Sequence, residues 1–172
     1  MARQMNCCLG MRGLIAAGLL LGAAALLTFG DRGLPAADAG AKQKSFTKVS
    51  ATATKPDADG KQVVTVTMTI EGPWYAYANP VGLEDLEGAQ TTVTIASKTG
   101  KLEDVKIEYP PGKLKKDAVV GSYKIYEDKV AIKGTVRRAK GDTGPLNVTV
   151  KYMNCNPKGV CLPPETVKLT VD

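Results

Sequence analysis

Between Gln62 and Ile70 the chain reads QVVTVTMTI, with Val64, Val66, Met68 and Ile70 on one parity and Thr65, Thr67 and Thr69 on the other. Successive side chains of an extended strand point to opposite faces, so this run has one apolar and one hydroxyl-bearing face. A strand of this kind is half-buried. It requires neighbouring strands to pair with and a second layer to cover its apolar side.

The chain supplies both. Strands are predicted near Phe46–Ala53, Gln62–Ile70, Trp74–Ala78, Thr91–Ser97, Val105–Tyr109, Tyr123–Tyr126, Val130–Val136, Leu146–Met153 and Thr166–Val171. They are separated by turn-forming stretches such as TKPDADGK, Lys98-Thr99-Gly100, Pro110-Pro111-Gly112 and Gly141-Asp142-Thr143-Gly144. No segment sustains a helical period, and Leu83–Gly88 is the one helical candidate. Many short strands at close intervals predict an all-β fold, an antiparallel β-sandwich of immunoglobulin type, with a barrel as the alternative.

The first 39 residues read differently. Arg3 and Arg12 precede an apolar run from Leu14 to Phe29, and Ala37-Asp38-Ala39 offers a small-x-small cleavage site. This is the pattern of a secretion signal. The run is shorter than the roughly 20 apolar residues a membrane span prefers, though an uncleaved anchor is the alternative. Cys7 and Cys8 precede the apolar run and leave with the signal. Residues 40–45 are small and polar and read as a flexible lead-in, and 46–172 as one domain. Export places that domain in a compartment where disulfides persist, periplasmic or secreted.

Composition removes many chemistries. The chain has no histidine, which excludes Ser-His-Asp and Cys-His catalysis and histidine-based zinc sites. No glycine-rich phosphate loop follows a strand. The net charge of +6 is moderate, and its main basic cluster is Lys113, Lys115 and Lys116. Nucleic acid would need several such clusters interleaved with aromatics, so it is not expected as a partner. Asp57-Ala58-Asp59-Gly60 resembles the start of a calcium loop but lacks the later ligands, and reads as a turn. Asn147-Val148-Thr149 fits a glycosylation sequon but falls in mid-strand. Glu84, Asp85 and Glu87 form a carboxylate cluster in a polar loop, which reads as a solvated surface.

The stretch YMNCNPKGVCLPPET, Tyr152–Thr166, holds Cys155 and Cys161 with five residues between them. A bond between them would close a ring of about seven residues, worth roughly 2.4 kcal/mol by loop entropy, the low end for disulfides. Such a ring is a weak staple for a domain large enough to bury a core. Small accessible rings are better suited to opening and closing. Lys158 inside the ring would favour a thiolate, and Pro157, Pro163 and Pro164 stiffen the loop. A redox centre and a structural bridge both remain open on these residues. A third reading is Cu(I) held by Met153, Cys155 and Cys161, since Met153 and Cys155 share a face on a strand; Met153 reads better, however, as a residue packed in the core.

The same stretch resembles the signature of the N-terminal periplasmic domain of the thiol:disulfide interchange protein DsbD family. That signature is an aromatic, two residues, a cysteine, five residues, a second cysteine, an aromatic or apolar residue, then Pro-Pro-Glu-Thr. Gly121 with Ile125-Tyr126-Glu127-Asp128, and Gly72-Pro73-Trp74-Tyr75-Ala76-Tyr77, are similar to further stretches of the family. The resemblance covers about Phe46 to Asp172. It implies an immunoglobulin-like sandwich performing dithiol–disulfide exchange, without metal or organic cofactor. Cys161 would form the mixed disulfide and Cys155 would resolve it. Tyr75 and Tyr77 would flank the site, and Asp117–Gly121 would form a cap loop. Here the family's usual aromatic is replaced by Val119, a smaller cover. The implied partners of this monomer are thioredoxin-fold redox proteins, including disulfide isomerases and reductases of cytochrome c assembly. The membrane and thioredoxin-like domains that accompany this domain in the family have no counterpart in the sequence, so a separate membrane electron carrier is expected as reductant.

Overall fold

A computed structural model describes residues 44–172. In chain order the strands are β1 (Thr47–Ala53), β2 (Lys61–Ile70), β3 (Tyr75–Tyr77), β4 (Thr92–Ser97), β5 (Leu102–Glu108), β6 (Lys113–Asp117), β7 (Gly121–Tyr126), β8 (Lys129–Arg138), β9 (Leu146–Tyr152), β10 (Asn154–Cys155) and β11 (Glu165–Val171). A 3-10 helix, Glu84–Ala89, interrupts them. The secretion-signal reading, with Cys7 and Cys8, lies outside the described residues. Among those described, no helix is long and apolar enough to cross a membrane.

The strands form three antiparallel sheets, ordered β1-β2-β8-β5, β11-β9-β4 and β10-β3-β7-β6. The first two pack face to face. From one side come Val64, Val66, Met68 and Ile70 of β2 with Ile132 and Val136 of β8. From the other come Val93 and Ile95 of β4 with Leu146, Val148 and Val150 of β9. Each of these side chains contributes about 1.5–3 kcal/mol when fully buried. Gly134 lies between Ile132 and Val136 on β8, where a Cβ would clash with Ile95 Cδ1 and lie 3.1 Å from Ile107 Cδ1. Its missing side chain is the slot into which the facing sheet inserts. The fold is thus the immunoglobulin-like antiparallel sandwich predicted from the alternation, and its sheets do not close into a barrel.

The third sheet positions the site, because it has two apolar faces. Ala76, Ala78 and Tyr126 point into the sandwich core. The alternate residues Tyr75, Tyr77, Tyr123 and Ile125 point the other way and form a second cluster with Val81 and Cys155. Leu83, Leu86 and Ala89, in and beside the 3-10 helix, pack against that cluster.

Three local features go beyond the predicted elements. Lys113–Asp117, read as a basic cluster running into a loop, is an edge strand paired with β7. The segment predicted as one strand through Met153 breaks at that residue, and β10 pairs with β3 instead of continuing beside β11. Ser45, placed in the lead-in, is tied to the domain, since its hydroxyl lies 3.2 Å from that of Tyr152.

Candidate functional site

β9 and β10 form one nearly continuous run that changes sheets at Met153. In β10, Asn154 pairs with Ala76 and Cys155 with Tyr75. The change of sheet carries Cys155 away from the sandwich core and onto the tyrosine-lined face.

After Cys155 the chain turns back. The Asn156 N–H donates to the Val160 carbonyl at 2.9 Å, and the Gly159 N–H to the Asn156 carbonyl at 3.0 Å. The Asn156 side-chain oxygen accepts from the N–H groups of Lys158 (3.0 Å) and Val160 (3.1 Å). An asparagine holding its own turn in this way substitutes for missing backbone bonds. Gly159 has φ of +80°, a conformation other residues adopt only with strain. The Leu162 N–H donates to the Asn154 carbonyl at 2.9 Å, closing the far side. Cys155 and Cys161 therefore face each other across a narrow hairpin, with Cα atoms 4.0 Å apart, and are joined by a disulfide.

The two sulfurs occupy unlike environments. Cys155 is completely buried, while Cys161 belongs to an exposed residue. The Tyr77 hydroxyl lies 3.9 Å from Cys161 Sγ. Tyr77 meets Tyr75 and Tyr123 edge to face, at centroid distances of 6.0 and 5.6 Å. The Tyr75 and Tyr123 hydroxyls are 3.4 Å apart. Burial pushes the phenol of Tyr123 up to about 12, with the Tyr75 hydroxyl adding to the rise. Burial also raises those of Tyr75 and Tyr77. All three are neutral at ordinary pH, and the uncharged hydroxyl of Tyr77 is the one beside the disulfide.

β6 closes the opposite side of this face. Lys115 pairs with Tyr123 in the ladder and sets its ammonium 3.8 Å from the centre of the Tyr75 ring. Asp117 ends the strand, and its Oδ1 accepts from the Val119 and Val120 N–H groups, both at 2.9 Å. Those bonds, Val120's first, hold the Asp117 carboxyl below the usual carboxylate range. They pin the tight turn that carries Val119 outward, where it is 94% exposed.

The structure thus brings Cys155, Cys161, Tyr75 and Tyr77 together, with Asp117 nearby through its effect on the tyrosines. Lys158 stands exposed at the hairpin tip, and Val119 projects into solvent. Met153, half-buried, packs against the tyrosine cluster, and the two cysteine sulfurs are bonded to one another. Glu84, Asp85 and Glu87 lie exposed on the 3-10 helix. Asp57 Oδ1 accepts from the N–H groups of Asp59 and Lys61, which makes its segment a turn. Sequence reading did not single out Tyr123, Lys115 or Asn156 for this site. Tyr123 had a usable signal, because it stands at alternate spacing with Ile125 on a strand.

No curated protein sequence matches the chain. Among solved structures, the N-terminal periplasmic domain of ScsB from Proteus mirabilis superposes with a TM-score of 0.57 at 19% identity. The match covers 75% of this chain and 47% of that one, so this chain spans about half that length, and the likeness is one of fold. The reduced DsbD N-terminal domain of Neisseria meningitidis matches with a TM-score of 0.42 at 19% identity, over 70% of this chain and 82% of that one. The complex of the DsbD and PilB N-terminal domains from the same organism gives 0.44 at 18% identity, over 70% and 80%. Residues 43–172 match the family described as thiol:disulfide interchange protein DsbD, N-terminal. With a match over that span, and with a disulfide-bonded cysteine hairpin on a sandwich scaffold, the chain belongs to the family of DsbD N-terminal domains.

Proposed function

We propose that this domain exchanges its Cys155–Cys161 disulfide with thioredoxin-fold partners in the periplasm. The observation that carries the reading is the unequal burial of the two cysteines, Cys155 being fully buried and Cys161 an exposed residue. A partner thiolate can approach Cys161 and cannot reach Cys155. It attacks Cys161 Sγ, a new intermolecular S–S bond forms, and the Cys155–Cys161 bond breaks. The electron pair leaves on Cys155, which takes up a proton. The partner's second thiolate then attacks the partner sulfur of the mixed disulfide and releases Cys161 as the second thiol. Two electrons and two protons have moved from the partner dithiol to this domain, and the partner is left oxidised. Reduced domain and oxidised acceptor run the same steps in reverse.

Tyr75 and Tyr77 form the wall beside the reacting sulfur, and Asp117–Gly121 is the turn a docking partner meets first. Lys158 gives the hairpin tip a positive charge. A membrane electron carrier serves as the source of electrons, and disulfide isomerases or reductases of cytochrome c assembly serve as acceptors, with this domain acting as a monomer.

Equilibration of the purified domain with glutathione tests the proposal. Exchange requires a reduction potential in the range of redox-active disulfides. A value well below about −300 mV would mark a structural bond instead, and would leave the domain as a binding module with a stapled loop.

A further inference from the structure

Behind the cysteine hairpin lies a polar network that the exchange steps do not use. Glu165 opens β11 and is paired in the ladder with Tyr152, the last residue of β9. Its Oε2 accepts a hydrogen bond from the Tyr152 hydroxyl at 3.1 Å, and its Oε1 one from Asn154 Nδ2 at 3.4 Å. Asn154 Oδ1 in turn accepts from Thr47 Oγ1 of β1 at 2.8 Å. The Tyr152 hydroxyl also faces the Thr47 carbonyl at 3.3 Å. Asn154, Tyr152 and Thr47 are all buried, where an unpartnered polar group would be costly.

These residues occupy both legs of the hairpin. Tyr152 and Asn154 lie on the leg that enters Cys155. Glu165 terminates the leg that leaves Cys161, and Pro163 and Pro164 between them fix two backbone angles. We propose that Glu165 is a positioning residue for the cysteine pair: its carboxylate joins the two legs and keeps Cys155 and Cys161 opposed when the bond between them is open.

Opening the disulfide removes the covalent link, leaving the backbone bonds of the turn and this network to hold the legs together. The closer the legs are held, the higher the effective concentration of one thiol at the other, and the more readily the bond re-forms. The inference rests on the exchange reading for its biological use, but the equilibrium that reports it is measurable independently.

The test is equilibration of the whole domain with glutathione. Two glutathione thiols give up two electrons and two protons to become one glutathione disulfide, and the Cys155–Cys161 bond becomes two thiols. Glu165→Ala is expected to favour the reduced form about ten-fold, a potential about 30 mV less negative for this two-electron couple. Glu165→Gln, which keeps one carbonyl acceptor, falls between it and the wild type. Val148→Ala opens a cavity in the sandwich core, weakens both redox forms alike and leaves the equilibrium in place. A folded Glu165→Ala protein within two-fold of wild type overturns the proposal, as does an equal shift in Val148→Ala. Where Glu165→Ala fails to fold, Thr47→Val decides. It removes the donor to Asn154 and should favour the reduced form by three-fold or more, and no shift overturns the inference. A wild-type disulfide that stays closed in glutathione refutes the exchange reading alone, and the same variants compared in dithiothreitol still decide the role of Glu165.

Discussion

The ammonium of Lys115 rests 3.8 Å from the centre of the Tyr75 ring, joining the outermost strand of the third sheet to the residue that pairs with Cys155. An edge strand of sequence KLKKD has almost no apolar side chain to bury. Its ladder to β7 and this cation–aromatic contact hold it in place.

Replacing Lys115 by Gln is therefore expected to cost about 0.5–1 kcal/mol, the usual worth of such a contact near a surface. Lys115→Arg should retain most of it. Urea denaturation of the oxidised protein measures both, and a Gln variant as stable as wild type would show that the ladder alone holds the strand.

The unequal burial of the two cysteines predicts unequal thiols. Cys155→Ala leaves Cys161 free on the surface, and Cys161→Ala leaves Cys155 enclosed. Modification by a thiol-reactive chromophore should be at least about ten-fold faster in the first variant, since reactivity follows access as well as thiolate fraction. Only the first should collect mixed disulfides with thioredoxin-fold proteins. Equal rates, or trapping through Cys155, would reverse the assigned roles.

Gly112 packs so closely that a Cβ would clash with Ala78 Cβ and lie 2.9 Å from Lys124 Cβ. Neither neighbour is the far end of a flexible side chain. Gly112→Ala should destabilise the domain by about 1–3 kcal/mol, as overpacking does, and shift the start of β6 away from β7. Thermal unfolding reads the first effect, and amide chemical shifts of Lys115 and Tyr75 read the second.

Two phenols give the stability a high-pH limit. Burial pushes Tyr123 and Tyr152 up to about 12, whereas the unfolded chain loses phenolic protons near pH 10. Over that interval the folded state holds more protons than the unfolded one. Their contribution is intact below about pH 10 and is lost as pH rises towards about 12. Urea midpoints measured from pH 9 to 12 should fall more steeply for wild type than for Tyr152→Phe or Tyr123→Phe; parallel curves would remove the effect.

Much of this was legible in the sequence because alternation is unambiguous in Gln62–Ile70 and in the other half-buried strands. The small ring between the two cysteines was legible too, from their spacing and the prolines that stiffen it, though not the hairpin pairing that closes it. β6 was not. An edge strand that lays lysine stems over aromatics has no apolar period, so Lys113, Lys115 and Lys116 read as a charged patch. The environment of Val119 was equally hidden, since sequence gives residue size and the hydrogen bonds of Asp117 decide direction. Glu165 was quoted only as part of a motif. Its partners, Tyr152 and Asn154, come from a strand that changes sheets between them, a switch with no local signal beyond Met153.

In the third sheet, Ala76 and Ala78 look inward while Tyr75 and Tyr77 look out. Foldability and reactivity are thus written on alternate letters of the same words. Along β3 and β7, Tyr75, Tyr77, Tyr123 and Ile125 answer to the disulfide, Ala76 and Tyr126 answer to the sandwich, and both sets are buried. A change on the tyrosine side therefore disturbs the wall of the disulfide, and a change on the alanine side opens the sandwich, so neither set varies without cost.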